Sequence, residues 1–281
     1  MTSGSPHRQE WIERGTDRLA VHAYPDPDPP AAPAVVIWPA MGVPARYYRP
    51  FASALHRAGL AVRVVDLRGT GASVPRPSRR SRYGYAELAS DVGAVLDASA
   101  DLAGRPVVLL GHSLGGQACL LHCAAGGHPT VDGLVLVAVG LPWWRLYPPS
   151  HRSRLVGLVG SVNVASMLLG YWPGWGFGGR QARGVVRDWA YTARTGRFPA
   201  LGGVDTQAAL ARVTVPVLAV SLERDGYTPA PVLDHLVGRL TSAPVRREHL
   251  DGDADHFTWA RSPGPVADRV ARFVATLAPR S

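Results

Sequence analysis

Val107-Val108-Leu109-Leu110-Gly111-His112-Ser113-Leu114-Gly115-Gly116-Gln117 is the stretch on which the fold turns. Val107 to Leu110 is a short, unbroken apolar run, the composition of a strand covered on both faces of a parallel sheet. Leu114 to Ala125 follows at once with the apolar content of a buried helix. The pentapeptide Gly111-His112-Ser113-Leu114-Gly115 joins them. A strand that turns straight into a helix around a serine holds that residue at strained backbone angles and lifts its Oγ clear of the sheet. The positions two away must be small, because strand and helix nearly collide there. Ser113 is therefore the candidate nucleophile. The bland alternative is a helix N-cap flanked by glycines.

Working outward, the same kind of apolar run recurs. Ala34 to Trp38 and Ala61 to Val65 precede it; Leu134 to Val139 and Val215 to Val220 follow it. Helical periodicity separates the runs, over Tyr47 to Ala58, Tyr85 to Ala100 and Ala230 to Leu240. A further strand around Val245 to Leu250 and a last helix from Val266 to Leu277 close the chain. Strand, helix, strand with short connections implies right-handed crossovers and a mostly parallel sheet flanked by helices. Trp11 to Tyr24 alternates as a strand or hairpin does, and the proline/aspartate-rich Pro25 to Pro33 cannot enter a sheet interior. The rhythm stops between Leu141 and Ala211, which is rich in Trp, Gly and Pro. Residues 1–140 and 212–281 thus read as the core, and 141–211 as a cap, or lid, inserted after the fourth parallel strand.

A serine hydroxyl becomes a useful nucleophile when a histidine takes its proton and a carboxylate steadies the imidazolium. Ten histidines are available. His7, His22 and His56 belong to early elements, and His122 and His128 sit on or just after the helix behind the serine. His112 is inside the turn itself, His151 in the cap and His235 within a helix. His256 falls in the loop after the last strand, at the end of the sheet where ligands bind in open α/β folds; His249, inside that strand, is the alternative. For the acid, Asp225 follows the strand ending at Val220 across a short loop, with Glu223 the runner-up. In Arg224-Asp225-Gly226 the aspartate also has the character of a turn former. Two backbone N–H groups must hold the developing oxyanion. Leu114 supplies one, helped by the positive end of its helix. The loop Pro39-Ala40-Met41-Gly42 supplies the other, through Met41.

Composition narrows the field. The formal charge is +9 and every basic residue is arginine. The arginines are scattered, apart from Arg76, Arg79, Arg80 and Arg82 in a Pro/Ser-rich loop, and no aromatic-interleaved stripe accompanies them. A solvated surface explains them better than a nucleic-acid partner. The only cysteines, Cys119 and Cys123, lie four apart on one helix. A disulfide there has poor geometry, and two lone thiols make no zinc site, so they read as packing residues. The polar start, Met1 to Glu10, lacks the layout of a signal peptide, and with the cysteine usage it points to a cytoplasmic setting. Leu155 to Gly179 carries no charge, but its Asn163, glycines, serines and Pro173 make it too weak for a spanning helix.

Taken together, Val35-Val36-Ile37-Trp38-Pro39-Ala40-Met41-Gly42, Asp66-Leu67-Arg68-Gly69-Thr70-Gly71-Ala72-Ser73, Gly111-His112-Ser113-Leu114-Gly115-Gly116-Gln117, Arg224-Asp225-Gly226-Tyr227-Thr228-Pro229 and Asp255-His256 resemble an α/β-hydrolase over nearly the whole chain. The pattern is similar to the serine aminopeptidase and monoacylglycerol-lipase-like branch, and to a bacterial group of α/β-hydrolases. That group shares Pro-Ala-Met-Gly before a tyrosine pair, here Tyr47 and Tyr48, and a cap segment like Tyr171-Trp172-Pro173-Gly174-Trp175-Gly176. The resemblance implies the α/β-hydrolase fold, a triad of Ser113, Asp225 and His256, and an oxyanion hole at Met41 and Leu114. Two positions depart from the pattern: Pro39-Ala40 replaces the usual His-Gly, and Ala254-Asp255 replaces the common Gly-His.

The expected chemistry is hydrolysis of an apolar carboxylic ester through an acyl-enzyme, with no metal and no organic cofactor. The same residues serve a thioesterase, an aminopeptidase or an acyltransferase, and a hydrolase-like binding protein is the reading from another class. A dehalogenase would carry Asp where Ser113 stands. In the cap, Trp143, Trp144, Trp172 and Trp175 are candidates to line the pocket for a small acyl substrate; packing of the cap on the sheet is the competing use. The arginines of His151-Arg152-Ser153-Arg154 followed by apolar residues read as an amphipathic helix able to touch a membrane surface transiently.

Overall fold

The structure, a computed structural model, describes residues 7–27 and 32–277. The polar start at Met1, part of the Pro25 to Pro33 connector and the outer ends of the two core segments lie outside the described residues. In chain order the core opens with β1 (Arg8–Arg14), β2 (Asp17–Ala23), β3 (Ala34–Trp38), α1 (Arg49–Arg57), β4 (Ala61–Val65) and α2 (Tyr85–Ala98). It continues with β5 (Val107–His112), α3 (Leu114–Ala124) and β6 (Val131–Val137). Between the core halves stand α4 (Pro149–Leu169), β7 (Tyr171–Trp172), β8 (Gln181–Ala182), α5 (Arg183–Thr195) and α6 (Thr206–Ala211). The core closes with β9 (Val217–Leu222), α7 (Ala230–Val237), β10 (Val245–Leu250) and α8 (Gly264–Val274).

One eight-stranded sheet runs β1-β2-β4-β3-β5-β6-β9-β10. The hairpin β1–β2 joins β4 antiparallel, and every pairing from β4 through to β10 is parallel. The strands are predominantly apolar because helices cover both faces. In β3, for example, Ala34, Val36 and Trp38 enter one core cluster while Val35 and Ile37 enter the other. The chain reverses direction across the sheet between β3 and β5, so the loops leaving those two strands diverge and open a crevice at their C-terminal ends. Met41 lies in the first loop and Ser113 in the second.

The Asp66-Leu67-Arg68 run acts behind that crevice. Asp66 accepts from the backbone N–H of Ala45 at 2.6 Å and of Ala72 at 2.9 Å, fixing the chain just beyond the β3 loop. Arg68 binds Asp91 through Nε at 2.9 Å and also reaches Asp17. The Cys119 and Cys123 thiols are buried and unpaired, and burial pushes the Cys123 thiol up to about 12.

The segment between the core halves is more helical than its sequence promised. Glycines at 157 and 160 and the lack of charge beyond Arg154 blur the periodicity of α4, a 21-residue helix. It buries Val159, Val162 and Ser166 and leaves Val156, Val164, Met167 and Leu168 exposed. No helix among the described residues is long and apolar enough to cross a membrane. From α5, Asp188 reaches back to the core and accepts the first N–H of α2, that of Tyr85, at 2.9 Å.

Candidate active site

Ser113 sits at φ +50°, ψ −118°, between β5 and α3. A side chain there is strained, typically by about 1–3 kcal/mol. Its surroundings enforce the turn. A Cβ on Gly111 would lie 2.1 Å from Gly116 Cα, and one on Gly115 would lie 2.2 Å from the Trp38 carbonyl oxygen. Those approaches draw α3 against the end of β3, so Leu114 comes beside the Met41 loop. The Ser113 carbonyl accepts from Gln117 N–H at 3.1 Å, while its hydroxyl makes no capping bond. The Oγ is left to the cavity.

Asp225, after β9, and His256, after β10, are brought together. His256 Nδ1 lies 2.9 Å from Asp225 Oδ2 and 3.0 Å from Oδ1, both residues at most 5% exposed. The carboxylate can only accept, so Nδ1 carries the proton and Nε2 keeps its lone pair. Asp225 Oδ1 also accepts from the N–H groups of Tyr227 and Thr228, each at 2.8 Å, and Oδ2 from the Thr228 hydroxyl at 2.5 Å. Burial opposes the negative charge, but His256 and Thr228 outweigh it and hold the carboxyl below its usual range. Asp255 fixes the far side of the histidine loop by accepting from Phe257 and Thr258 N–H, both at 2.8 Å.

Sequence reasoning overlooked a link beneath the Pro39–Gly42 loop. Ala40 N–H donates to the Tyr48 hydroxyl at 2.9 Å, and that hydroxyl lies 2.6 Å from His112 Nδ1. Burial pushes the His112 imidazole well below the ordinary value, and neighbouring His256 adds to this, so the ring is neutral. Ala40 is thus committed to Tyr48, whereas no described acceptor takes the Met41 N–H. Leu114 is the first residue of α3, and its N–H has no partner one turn back.

A depressed histidine stabilises the fold fully above its unfolded value of about 6.5. That stability is lost as pH falls toward the folded value, since the unfolded chain takes up the proton first. Burial lowers His122 and His235 in the same sense. The melting temperature should therefore drop between pH 7 and pH 5. His112→Asn should flatten that drop by up to one proton, about 1.4 kcal/mol per pH unit; an unchanged slope in thermal melts would contradict the neutral assignment.

Ser113, Leu114, Met41, Asp225 and His256 line one cavity of about 800 Å³. The tryptophans expected there are placed elsewhere. Trp143 stacks on His235 at 5.4 Å, and Arg145 covers Trp144 at 5.2 Å. Trp172 is buried, donating to the Phe177 carbonyl at 2.8 Å, and Trp175 is 66% exposed at its edge. Trp143 is thus spent on α7 and Trp172 on the turn at Phe177. The aromatic wall is instead Trp189, Phe177, Tyr147 and Tyr227, and α4 adds Leu155, Leu158 and Arg154. Sequence could not separate these tryptophans, since aromatics that pack the insertion and aromatics that face the cavity occur in the same segment.

The alternatives considered from sequence pair with each other. Glu223 Oε2 lies 2.7 Å from His249 Nε2, whose Nδ1 meets Ser221 Oγ at 2.7 Å. Ser221 is fully buried, so this second serine–histidine–carboxylate chain presents no nucleophile to a substrate. Glu223, His249 and Asp251 also form the one group of metal-ligand spacing among the described residues; all three are exposed.

Comparison with known proteins bears on this geometry. The family model described as serine aminopeptidase, S33, matches residues 29–256. Among solved structures, the esterase Est1E from Butyrivibrio proteoclasticus, with ferulic acid bound, superposes with a TM-score of 0.67 at 16% identity, covering 95% of this chain and 98% of its own. A bromoperoxidase from Bacillus anthracis gives 0.65 at 16% identity, over 95% and 100%. A thioesterase domain from the curacin biosynthetic pathway gives 0.63 at 17%, over 96% and 99%. At such identities the likeness is one of fold. No curated protein sequence matches the chain.

Proposed function

The chain belongs to the serine aminopeptidase S33 family of α/β-hydrolases, and we propose that it hydrolyses an apolar carboxylic ester through a serine acyl-enzyme. The observation that carries this is the buried Asp225–His256 pair opening into the same cavity as the strained Ser113. In this reading His256 Nε2 takes the Ser113 proton as Oγ attacks the carbonyl carbon. The oxyanion is held by the N–H groups of Met41 and Leu114, each donor supplying about 3 kcal/mol to the transition state. His256 then returns the proton to the leaving alcohol. Water, activated by the same nitrogen, releases the acid and frees Ser113. Asp225 holds the imidazole in the required tautomer and stabilises its charged form.

The largely apolar and aromatic wall of the cavity, the Trp189–Phe177 pair at 5.0 Å included, supports an acyl or aryl group of low polarity; Est1E, seen with ferulic acid, is a relative in fold that accommodates an aryl acid. The insertion, residues 141–211, would cover the substrate, with the exposed apolar residues of α4 meeting a lipid surface transiently. A matched panel of aryl ester, thioester and aminoacyl-anilide, each dissolved and in micelles, tests the reading. Ester turnover should exceed the other two by at least about tenfold and rise on micelles. Preference for the anilide would move the assignment to an aminopeptidase, and preference for the thioester to a thioesterase.

A further inference from the structure

The segment around Gly178 meets the loop after β3 at close range. A Cβ on Gly42 would lie 2.3 Å from the Gly178 carbonyl oxygen and 2.7 Å from Gly179 N. From the other side, a Cβ on Gly179 would lie 2.9 Å from Gly42 Cα, and one on Gly178 would lie 2.7 Å from Met41 Sδ. All three glycines have positive φ, +72°, +63° and +59° along the chain. Backbone therefore rests on backbone with no side chain between, an approach open only to glycine.

Both partners are anchored. Gln181 Nε2 donates to the Gly178 carbonyl at 2.8 Å and Trp172 Nε1 to the Phe177 carbonyl at 2.8 Å, and these two side chains stand opposite each other in the β7–β8 pair. On the core side, Tyr48 holds Ala40 N–H at 2.9 Å. Met41 is the residue between the two holds.

We propose that the Gly178-Gly179 turn of the insertion is a positioning element for the Met41 N–H, so that the insertion completes the oxyanion hole as well as covering the cavity. The inference rests on the reading of Met41 as an oxyanion donor. Displacement of a reacting or stabilising group by about 1 Å can cost two orders of magnitude in rate, so pressure on Gly42 acts through kcat rather than through substrate binding.

The test compares Gly179→Ala with Gly202→Ala, another insertion glycine with positive φ, +56°, but with nothing within 4 Å of its Cβ. Gly179→Ala should lower kcat on an aryl ester between about tenfold and about a hundredfold. KM should stay within about twofold, and affinity for an arylboronic acid, whose tetrahedral adduct places an oxygen in the hole, should fall in step. Gly202→Ala should leave all three within about twofold. Equal losses in the two variants, or a Gly179→Ala loss carried by KM with boronate affinity unchanged, overturn the proposal. If Gly179→Ala does not fold, Gly178→Ala, which presses on the mobile end of the Met41 side chain, should show the same split at about threefold or more; no loss there overturns it equally. A wild-type protein that binds no boronate and hydrolyses no ester removes the Ser113 reading and this inference with it, whereas an active wild type with an indifferent Gly179→Ala removes the inference alone.

Discussion

Replacing Ser113 by alanine should abolish labelling by a fluorophosphonate and lower kcat on any ester substrate by about a millionfold, leaving the fold intact. In the proposed mechanism the size follows from the covalent step, because without Oγ there is no acyl-enzyme and His256 has no serine proton to take. The intact fold follows from local structure. The Ser113 hydroxyl makes no capping bond, and alanine meets the same strain at φ +50° as serine does. The melting temperature should stay within about 3 °C, the effect of roughly 1 kcal/mol in a domain of this size. Mass spectrometry of the labelled wild type should find the adduct on Ser113. A correctly folded wild-type protein that takes no label, or an alanine variant that keeps it, would remove the serine-hydrolase reading and favour a binding protein built on a hydrolase frame.

The parts of this molecule that could be read from sequence are those where one local rule leaves few choices. A strand buried on both faces is predominantly apolar, so β3, β4, β5, β6 and β9 show plainly in the residue order, even with the buried Arg63 in β4, which pairs with Asp26 and Asp101. The turn at Ser113 requires small neighbours, and Gly111 and Gly115 announce it. Asp225 and His256 were legible as positions after β9 and β10, since a loop at the C-terminal end of a parallel strand faces the crevice. What was hidden depends on distances that no residue order encodes. The hold of Tyr48 on Ala40 is one such contact, although the tyrosine pair behind Pro-Ala-Met-Gly marked the place. The aromatic wall is another: Trp189 faces the cavity while Trp143 stacks on His235 of α7 and Trp172 binds the Phe177 carbonyl, and composition treats them alike. In α4 the glycines and the charge-free run concealed a long helix, because the helix is fixed by contacts with α5 and β7 more than by its own periodicity.

Asp225→Asn should lower kcat by about ten-thousandfold with little change in KM. The amide keeps a carbonyl oxygen at the Oδ1 position, where the N–H groups of Tyr227 and Thr228 both donate at 2.8 Å, so the loop has no reason to unfold. The loss lies at Oδ2, which becomes an NH₂ facing two donors, the Thr228 hydroxyl and His256 Nδ1–H. The least costly escape is a tautomer change that moves the imidazole proton to Nε2, where the Ser113 proton would have to go. Thr228→Val tests the same atom more gently: it removes one donor from Oδ2, leaves the carboxylate on His256, and should cost about tenfold or less. Glu223→Gln discriminates the other carboxylate near the cavity. Glu223 is exposed and spent on His249 at 2.7 Å, so its amide should keep kcat within about threefold. A large loss there with Asp225→Asn nearly silent would transfer the acid's role to Glu223. The pH response separates them further. Asp225 is held below the usual carboxylate range, so its ionised form is the folded state's preference. The stability it contributes is complete above an unfolded value of about 4 and is lost as pH falls through the lower, folded one. Asp225→Asn should therefore lower the plateau of the kcat/KM–pH profile instead of moving Asp225's own titration into view.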